Sequence, residues 1–362
     1  MKEDTLNLLN ALIANGAVTS KVERVNQSVD MVAAFLAGHG VPCVRRERVQ
    51  GRDVLWASNR PGKEAEVVAV VHLDVVPPSE EGQFSPYVRE GWLYGRGSGD
   101  DLGNAAVAAQ WLCGHSAGER GIAVLFATDE EDGGLSTAHM VELGYRATQF
   151  AVVMDAEYLS LVTAEKGMLG LRVTACGVSC HSSAPWEGRN PITLLMSEYG
   201  NLRQAFARRP QATAGDVWHA TMEPCVISGG VVDNQVPDQA WMKLNIRYTS
   251  EPEKEELLRL VREQMPHCRV EVERECRPVF CDEAHPVMQR LMAALEEVAP
   301  AGCRPCFARI CGATDARHLA DWKVPVAISG VNGINAHARG EAVELDSLDR
   351  MLRWFNLITR TE

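Results

Sequence analysis

Val67-Val68-Ala69-Val70-Val71-His72-Leu73-Asp74-Val75-Val76 is an apolar, β-branched run that reaches a histidine, one spacer and an aspartate. Such a run suits a strand buried on both faces, in the middle of a mostly parallel sheet. Charge is unwelcome there until the carboxyl end, where open α/β sheets place their ligands. Residues i and i+2 of a strand point to the same side, so His72 and Asp74 project together. That pairing suits a metal-binding imidazole oriented by a nearby carboxylate. The bland alternative is a strand that exits into a polar loop, with His72 satisfied by a backbone carbonyl.

Working outward, two further buried strands are expected. One covers 121–128 and ends in Asp129-Glu130-Glu131-Asp132-Gly133-Gly134. The other covers 150–154 and ends in Asp155, with Glu157 close behind. Helices are expected at 22–37, 104–112 and 136–143, and a short strand at 53–57. Strands alternating with helices indicate an α/β fold with a largely parallel sheet. After about residue 166 the pattern changes. Strands at 169–175, 225–232 and 240–247 alternate with helices at 192–207 and 252–264, which suggests a smaller α+β, ferredoxin-like domain. Near 278–286 the chain returns to the first domain, with a helix at 287–298, strands near 306–307 and 326–329, and a last helix at 345–358. The expected division is 1–166 and 282–362 for the first domain, with 167–281 inserted.

The 362 residues exceed one small core and suit this two-part plan. A hydrophobic fraction of 46% and a charged fraction of 23% are ordinary for a soluble globular chain. The net charge of −12 argues against nucleic acid or an anionic membrane as partner. The first residues, Met1-Lys2-Glu3-Asp4-Thr5, lack the features of a signal peptide. No apolar stretch approaches the roughly 18 residues of a membrane span, so a cytoplasmic protein is expected. The 11 cysteines are an odd number, read mainly as small buried hydrophobes. Cys303 and Cys306 form one C-x-x-C, without the second pair a structural zinc site normally needs.

Four clusters sit at strand ends or at a strand-to-helix junction: His72/Asp74, Asp100/Asp101, Asp129-Glu130-Glu131 and Asp155/Glu157. Each alone could be a solvated loop. Together they crowd carboxylates at one sheet edge, and like charges there repel unless protonated or neutralised by a cation. Oxygen and imidazole donors suit zinc, manganese or cobalt. The loop Gly95-x-Gly97-x-Gly99 invites a nucleotide, but its spacing is not G-x-G-x-x-G and no P-loop lysine follows. Asp100 and Asp101 also occupy the helix start, where a phosphate would need positive potential.

The motifs resemble those of the co-catalytic zinc peptidase and amidohydrolase family that includes aminoacylase, succinyl-diaminopimelate desuccinylase, acetylornithine deacetylase, carboxypeptidase G and tripeptidase T. The matching segments are His72-Leu73-Asp74-Val75-Val76-Pro77, Gly95 through Gly103, Thr128-Asp129-Glu130-Glu131, His181-Ser182-Ser183-Ala184-Pro185, Gly312-Ala313-Thr314-Asp315-Ala316-Arg317 and a C-terminal His337. They run in family order along nearly the whole chain. The resemblance implies a zinc-peptidase-like catalytic domain with an inserted lid or dimerisation domain. It implies two zinc ions, with cobalt or manganese as substitutes. His72 would hold one and His337 the other, Asp100 would bridge them, Glu131 and Asp155 would complete the two shells, and Asp74 would support His72. Glu130 would be the general base.

By the same resemblance His181 would reach a partner's site in a homodimer and stabilise the oxyanion. Asn234, Asn245 and Arg247, with Thr314, would hold the substrate carboxylate; a surface salt bridge is the equal alternative for Arg247. The chain departs from the pattern at Leu102, where relatives carry lysine, and at Gly340, where they carry asparagine. Asp155 replaces the glutamate of many deacylases. The implied activity is hydrolysis of an amide or peptide bond in a small N-acyl amino acid or short peptide. The alternative from another class is a non-catalytic metal-binding homologue. Within the enzyme class, di- or tripeptidase and deacylase both remain open.

Overall fold

The computed structural model describes residues 1–209 and 217–360. The chain divides into two compact units. One comprises Met1–Ala164, Phe280–Ala308 and Thr314–Glu362, and the other Glu165–Val279 with Arg309–Ala313.

The first unit is built on the strand Glu64–His72, where every residue from Val67 to His72 is buried. Burying each such valine side chain favours the fold by about 1.5–3 kcal/mol over leaving it in water. Four strands run parallel at the centre, in the order Ile122–Ala127, Glu64–His72, Arg146–Val153 and Val326–Ile328. Antiparallel strands flank them: Cys43–Val49 and Arg52–Ser58 on one side, Ser160–Glu165 on the other. The sheet is therefore parallel at its core and mixed at its edges. The helix Leu102–Cys113 is buried almost all round and packs against the helices Glu3–Asn15 and Leu345–Thr359. Its alanines allow that close approach, and Trp111 meets Phe355 at 4.8 Å between ring centroids. Leu102 is part of this apolar core.

The second unit holds a four-stranded antiparallel sheet, in the order Thr221–Gly229, Gln239–Tyr248, Gly167–Cys176 and Cys268–Cys276. The helices Pro191–Ala207 and Glu251–Gln264 complete a strand–helix–strand–strand–helix–strand order, as in a ferredoxin-like sandwich. Alternation sets the buried face: Ala240, Met242, Leu244, Ile246 and Tyr248 point inward. Asn190 and Ser250 cap the two helices by accepting from backbone N–H groups of the first turn.

The structure differs from the sequence reading in several places. The strand Cys268–Cys276 was not anticipated, because Arg269, Glu271, Glu273, Arg274 and Glu275 mask the alternation of Val270 and Val272. The helix Glu3–Asn15 and the edge strand Cys43–Val49 were also missed. Finally, Arg309–Ala313, read as part of the first domain's return, belongs to the second unit. There Lys166 N donates to Ile310 O, and the Arg309 guanidinium lies over the Trp218 ring. Among the described residues no disulfide is seen. Among the described residues, no helix is long and apolar enough to cross a membrane.

Candidate metal centre

His72 closes its strand with the imidazole buried. Its backbone N donates to Asp101 Oδ2 at 2.9 Å. Its Nδ1 lies 3.0 Å from the Asp74 carbonyl oxygen and 3.4 Å from Asp74 Oδ1. A carbonyl oxygen only accepts, so Nδ1 carries the proton and Nε2 is left to face the site. Asp74 is fully buried and does more than orient His72. It also accepts from Thr19 Oγ1 at 2.8 Å, from Glu130 N at 3.2 Å and from Glu131 N at 3.4 Å. One carboxylate thus fixes the first histidine and the Glu130–Asp132 turn that follows the strand Ile122–Ala127.

The glycine loop brings Asp100 to the same place. Asp100 Oδ1 is 3.1 Å from His72 Nε2, and Asp100 Oδ2 is 3.1 Å from His337 Nε2. His337 Nε2 is also 3.0 Å from Glu131 Oε1. His337 has a left-handed backbone, with φ of 61°, uncommon for a residue with a Cβ. Among the hydrogen bonds that hold its loop, Ser79 Oγ donates to His337 O at 3.0 Å and Gln83 Nε2 to Ala338 O at 2.9 Å. Asp155, just past the strand Arg146–Val153, joins the cluster; the exposed Glu157 does not.

Two groups result, each with one imidazole nitrogen and two carboxylates. They are His72, Glu130 and Asp155, and Asp100, Glu131 and His337; within each, the donor atoms lie within 4.8 Å of one another. Hydrogen bonds with Asp100 and Glu131 lift His337 to about 10. Burial pushes His72 down, but Asp100, Asp74 and the charge of Asp101 outweigh it and hold the ring well above 6.5. Burial, then the charges of Asp315 and Asp155, push Glu130 up to about 9. Burial, then Asp100, push Asp155 up to about 7. These are the signs of carboxylates crowded for a cation. The donor set fits a pair of divalent ions with nitrogen and oxygen ligands.

Asp315, Arg317 and His318 complete one wall, and the sequence reading had assigned them no role. Arg317 Nη2 lies 3.1 Å from Glu130 Oε1, and His318 Nε2 lies 3.0 Å from the Gly133 carbonyl. Gly134 makes this approach possible. Its φ is 68°, and a Cβ there would meet Asp315 Oδ1 at 2.1 Å. The sequence carries the motif segment Gly312–Arg317, in which the resemblance gives a role to Thr314. Thr314 Oγ1 accepts from Ala316 N at 3.2 Å and caps the turn Asp315–Trp322.

The other expected substrate residues belong to the second unit and are not in this cluster. His181 is exposed, with Nδ1 held by Ser183 Oγ at 2.7 Å. Arg247 Nε donates to Asn245 Oδ1 at 3.2 Å, both on the outer face of their strand. The Asn234 carbonyl accepts from Ser182 N at 2.9 Å, beside His181.

A sequence profile for peptidase family M20/M25/M40 matches residues 69–360. The chain belongs to peptidase family M20. Like other M20 members it is a hydrolase of peptide or amide bonds in a metal-dependent family. The M20 chain is 27% identical to a succinyl-diaminopimelate desuccinylase of Alkalilimnicola ehrlichii, over 96% of this chain and 97% of the relative. Its fold is similar to the M20 family metallo-carboxypeptidase Sso-CP2 of Sulfolobus solfataricus, with a TM-score of 0.79, 15% identity, and 99% of each chain covered. It is also similar to the YXEP protein of Bacillus subtilis, a dinuclear metal binding peptidase, with a TM-score of 0.69, 14% identity, and 98% and 96% of the two chains covered. At these identities the two structures speak for the fold of this M20 chain.

Proposed function

We propose that this M20 chain is a dinuclear zinc hydrolase that cleaves an amide or peptide bond next to a free carboxylate, in a small N-acyl amino acid or short peptide. Cobalt and manganese are suitable substitutes for zinc. The observation that carries the proposal is the position of Asp100: its two oxygens each face a different histidine nitrogen at 3.1 Å. A carboxylate so placed would be able to serve two ions. His72 and Asp155 would hold one ion, and Glu131 and His337 the other. Two such ions supply acidified water and a polarised carbonyl.

Glu130 then acts as the base. It takes a proton from the attacking water and delivers it to the leaving amine, whose bond to the carbonyl carbon breaks. Burial raises the proton affinity of Glu130, which helps it accept and hold that proton, and Arg317 steadies its carboxylate. Asp74 locks the His72 ring and the 130–131 turn in register. The complete donor set, Glu130 included, argues against a binding-only homologue.

On this proposal the protein is a cytoplasmic homodimer without nucleic-acid or membrane partners. His181 serves the oxyanion of the partner protomer's substrate, with Nδ1 tied to Ser183 and Nε2 offered. Asn234, Asn245, Arg247 and Thr314 are assigned to the substrate carboxylate on family resemblance, and light scattering tests the dimer. The test of the function is metal analysis of protein purified without chelator, with a panel of acetyl, succinyl and aminoacyl substrates. About two ions per chain and turnover of one class are expected, and that class separates deacylase from peptidase. Full activity in metal-free protein overturns the proposal.

A further inference from the structure

The two groups of donors are held in different ways. His72, Glu130 and Asp155 follow the ends of adjacent parallel strands. Asp100 and His337 come instead from two loops far apart in sequence. What joins those loops is a buried pair, Arg96 and Glu341, each about 1% exposed at its side chain.

Glu341 Oε1 accepts from Gly97 N at 2.9 Å, from Gly99 N at 3.3 Å and from Asp100 N at 3.4 Å. Its backbone carbonyl accepts from Gly95 N at 3.0 Å. The carboxylate therefore gathers the amides of the loop that ends in Asp100. Its other oxygen, Oε2, accepts from Arg96 Nη1. Arg96 Nη2 reaches the opposite loop, donating to Ser79 Oγ at 3.0 Å and to Ala338 O at 3.5 Å. Ser79 Oγ in turn donates to His337 O at 3.0 Å. A continuous chain of bonds thus runs from the Asp100 amide to the His337 carbonyl. The planar guanidinium suits this forked task, and a lysine would not reproduce it.

We propose that Glu341 and Arg96 are positioning residues that set the distance between Asp100 and His337, and so govern the affinity of the ion held by Asp100, Glu131 and His337 more strongly than that of the His72-side ion, which shares only Asp100 with the clamp. This rests on the two-ion reading above. A buried charge pair is costly to break by removing one partner, so the clamp is rigid. Neither residue belongs to the two donor groups, so the clamp's effect appears in metal affinity before it appears in chemistry.

The test is a cobalt titration of chelator-stripped full-length chain, followed by calorimetry and visible absorption, for wild type, Glu341→Gln, Arg96→Lys and Ser79→Ala. Removing partners of metal ligands typically costs 10–100-fold in affinity. The expected result is two ions in wild type, with the weaker site of Glu341→Gln lowered on the order of 10–100-fold and the other lowered less, through Asp100 alone. Arg96→Lys gives a smaller loss at the same site. Ser79→Ala, an exposed change that tests the link without emptying the core, also weakens that site alone. Equal loss at both sites, or wild-type affinity at both sites in Glu341→Gln and Ser79→Ala, overturns the inference. A Glu341→Gln chain that does not fold leaves Ser79→Ala to decide in the same terms. Wild type that takes one ion or none overturns the two-ion reading, and this inference with it.

Discussion

Arg317 Nη2 stands 3.1 Å from Glu130 Oε1, although 187 positions separate the two residues. The cation opposes the burial and the neighbouring charges of Asp315 and Asp155 that lift the Glu130 carboxyl. In Arg317→Met that opposition is lost and the carboxyl titrates higher still. Glu130 must be ionised to accept a proton, so the acid limb of the kcat/KM profile moves to higher pH, by about 1–3 units. A pH–rate series on variant and wild type measures it. An unmoved acid limb means that Arg317 does not act on Glu130.

Metal loading is expected to release protons. Hydrogen bonds with Asp100 and Glu131 raise His337 to about 10, and His72 is held well above 6.5 despite its burial. Both rings are therefore protonated near pH 7 in stripped protein, and both must be neutral to bind. Two ions displace about two protons from the histidines. The sign follows: apparent affinity rises as pH rises toward the folded pKa values. Calorimetry in buffers of different ionisation enthalpy reads the number released. No buffer dependence contradicts the assignment.

Asp74→Asn keeps the shape of the hub but removes its charge. It weakens the orientation of His72 and loosens the 130–131 turn, which Asp74 holds through two backbone amides. Affinity at the His72-side ion falls on the order of 10–100-fold, measured by competition with a chromophoric chelator. Thr19→Val, which removes one neutral donor to the same carboxylate, gives a smaller loss.

Gly134→Ala places a methyl where Asp315 Oδ1 now sits, at a backbone φ of 68°. The strained backbone and the displaced wall cost about 1–3 kcal/mol of stability, read by denaturant unfolding. Turnover falls with it, because Arg317 and His318 lean on the same loop. A variant as stable as wild type shows that the wall can move freely.

Much of this was legible in the sequence where local pattern coincides with burial. The run ending in His72 read as a central strand because a strand covered on both faces has no place for alternation, and residues Val67–Val71 show none. Glu130, Glu131 and Asp155 stood out because acids at the ends of apolar strands are costly without a partner, while their expected roles came from the family resemblance. The wall of Asp315, Arg317 and His318 was not legible as chemistry. An arginine in a polar segment looks like solvated surface until the fold packs it on a turn 187 positions away. Nothing local to Glu341 shows that its carboxylate collects three amides of another loop. The strand Cys268–Cys276 escaped because its charged residues hide a two-residue period.

The central claim is that Glu130 moves the proton while other side chains hold the metal. Glu130→Gln tests it most directly, with metal content and single-substrate turnover measured on the same preparation. The account predicts two ions per chain, as in wild type, and a loss of kcat on the order of 10²–10⁴-fold. Turnover within tenfold of wild type, or the loss of an ion together with activity, would contradict it.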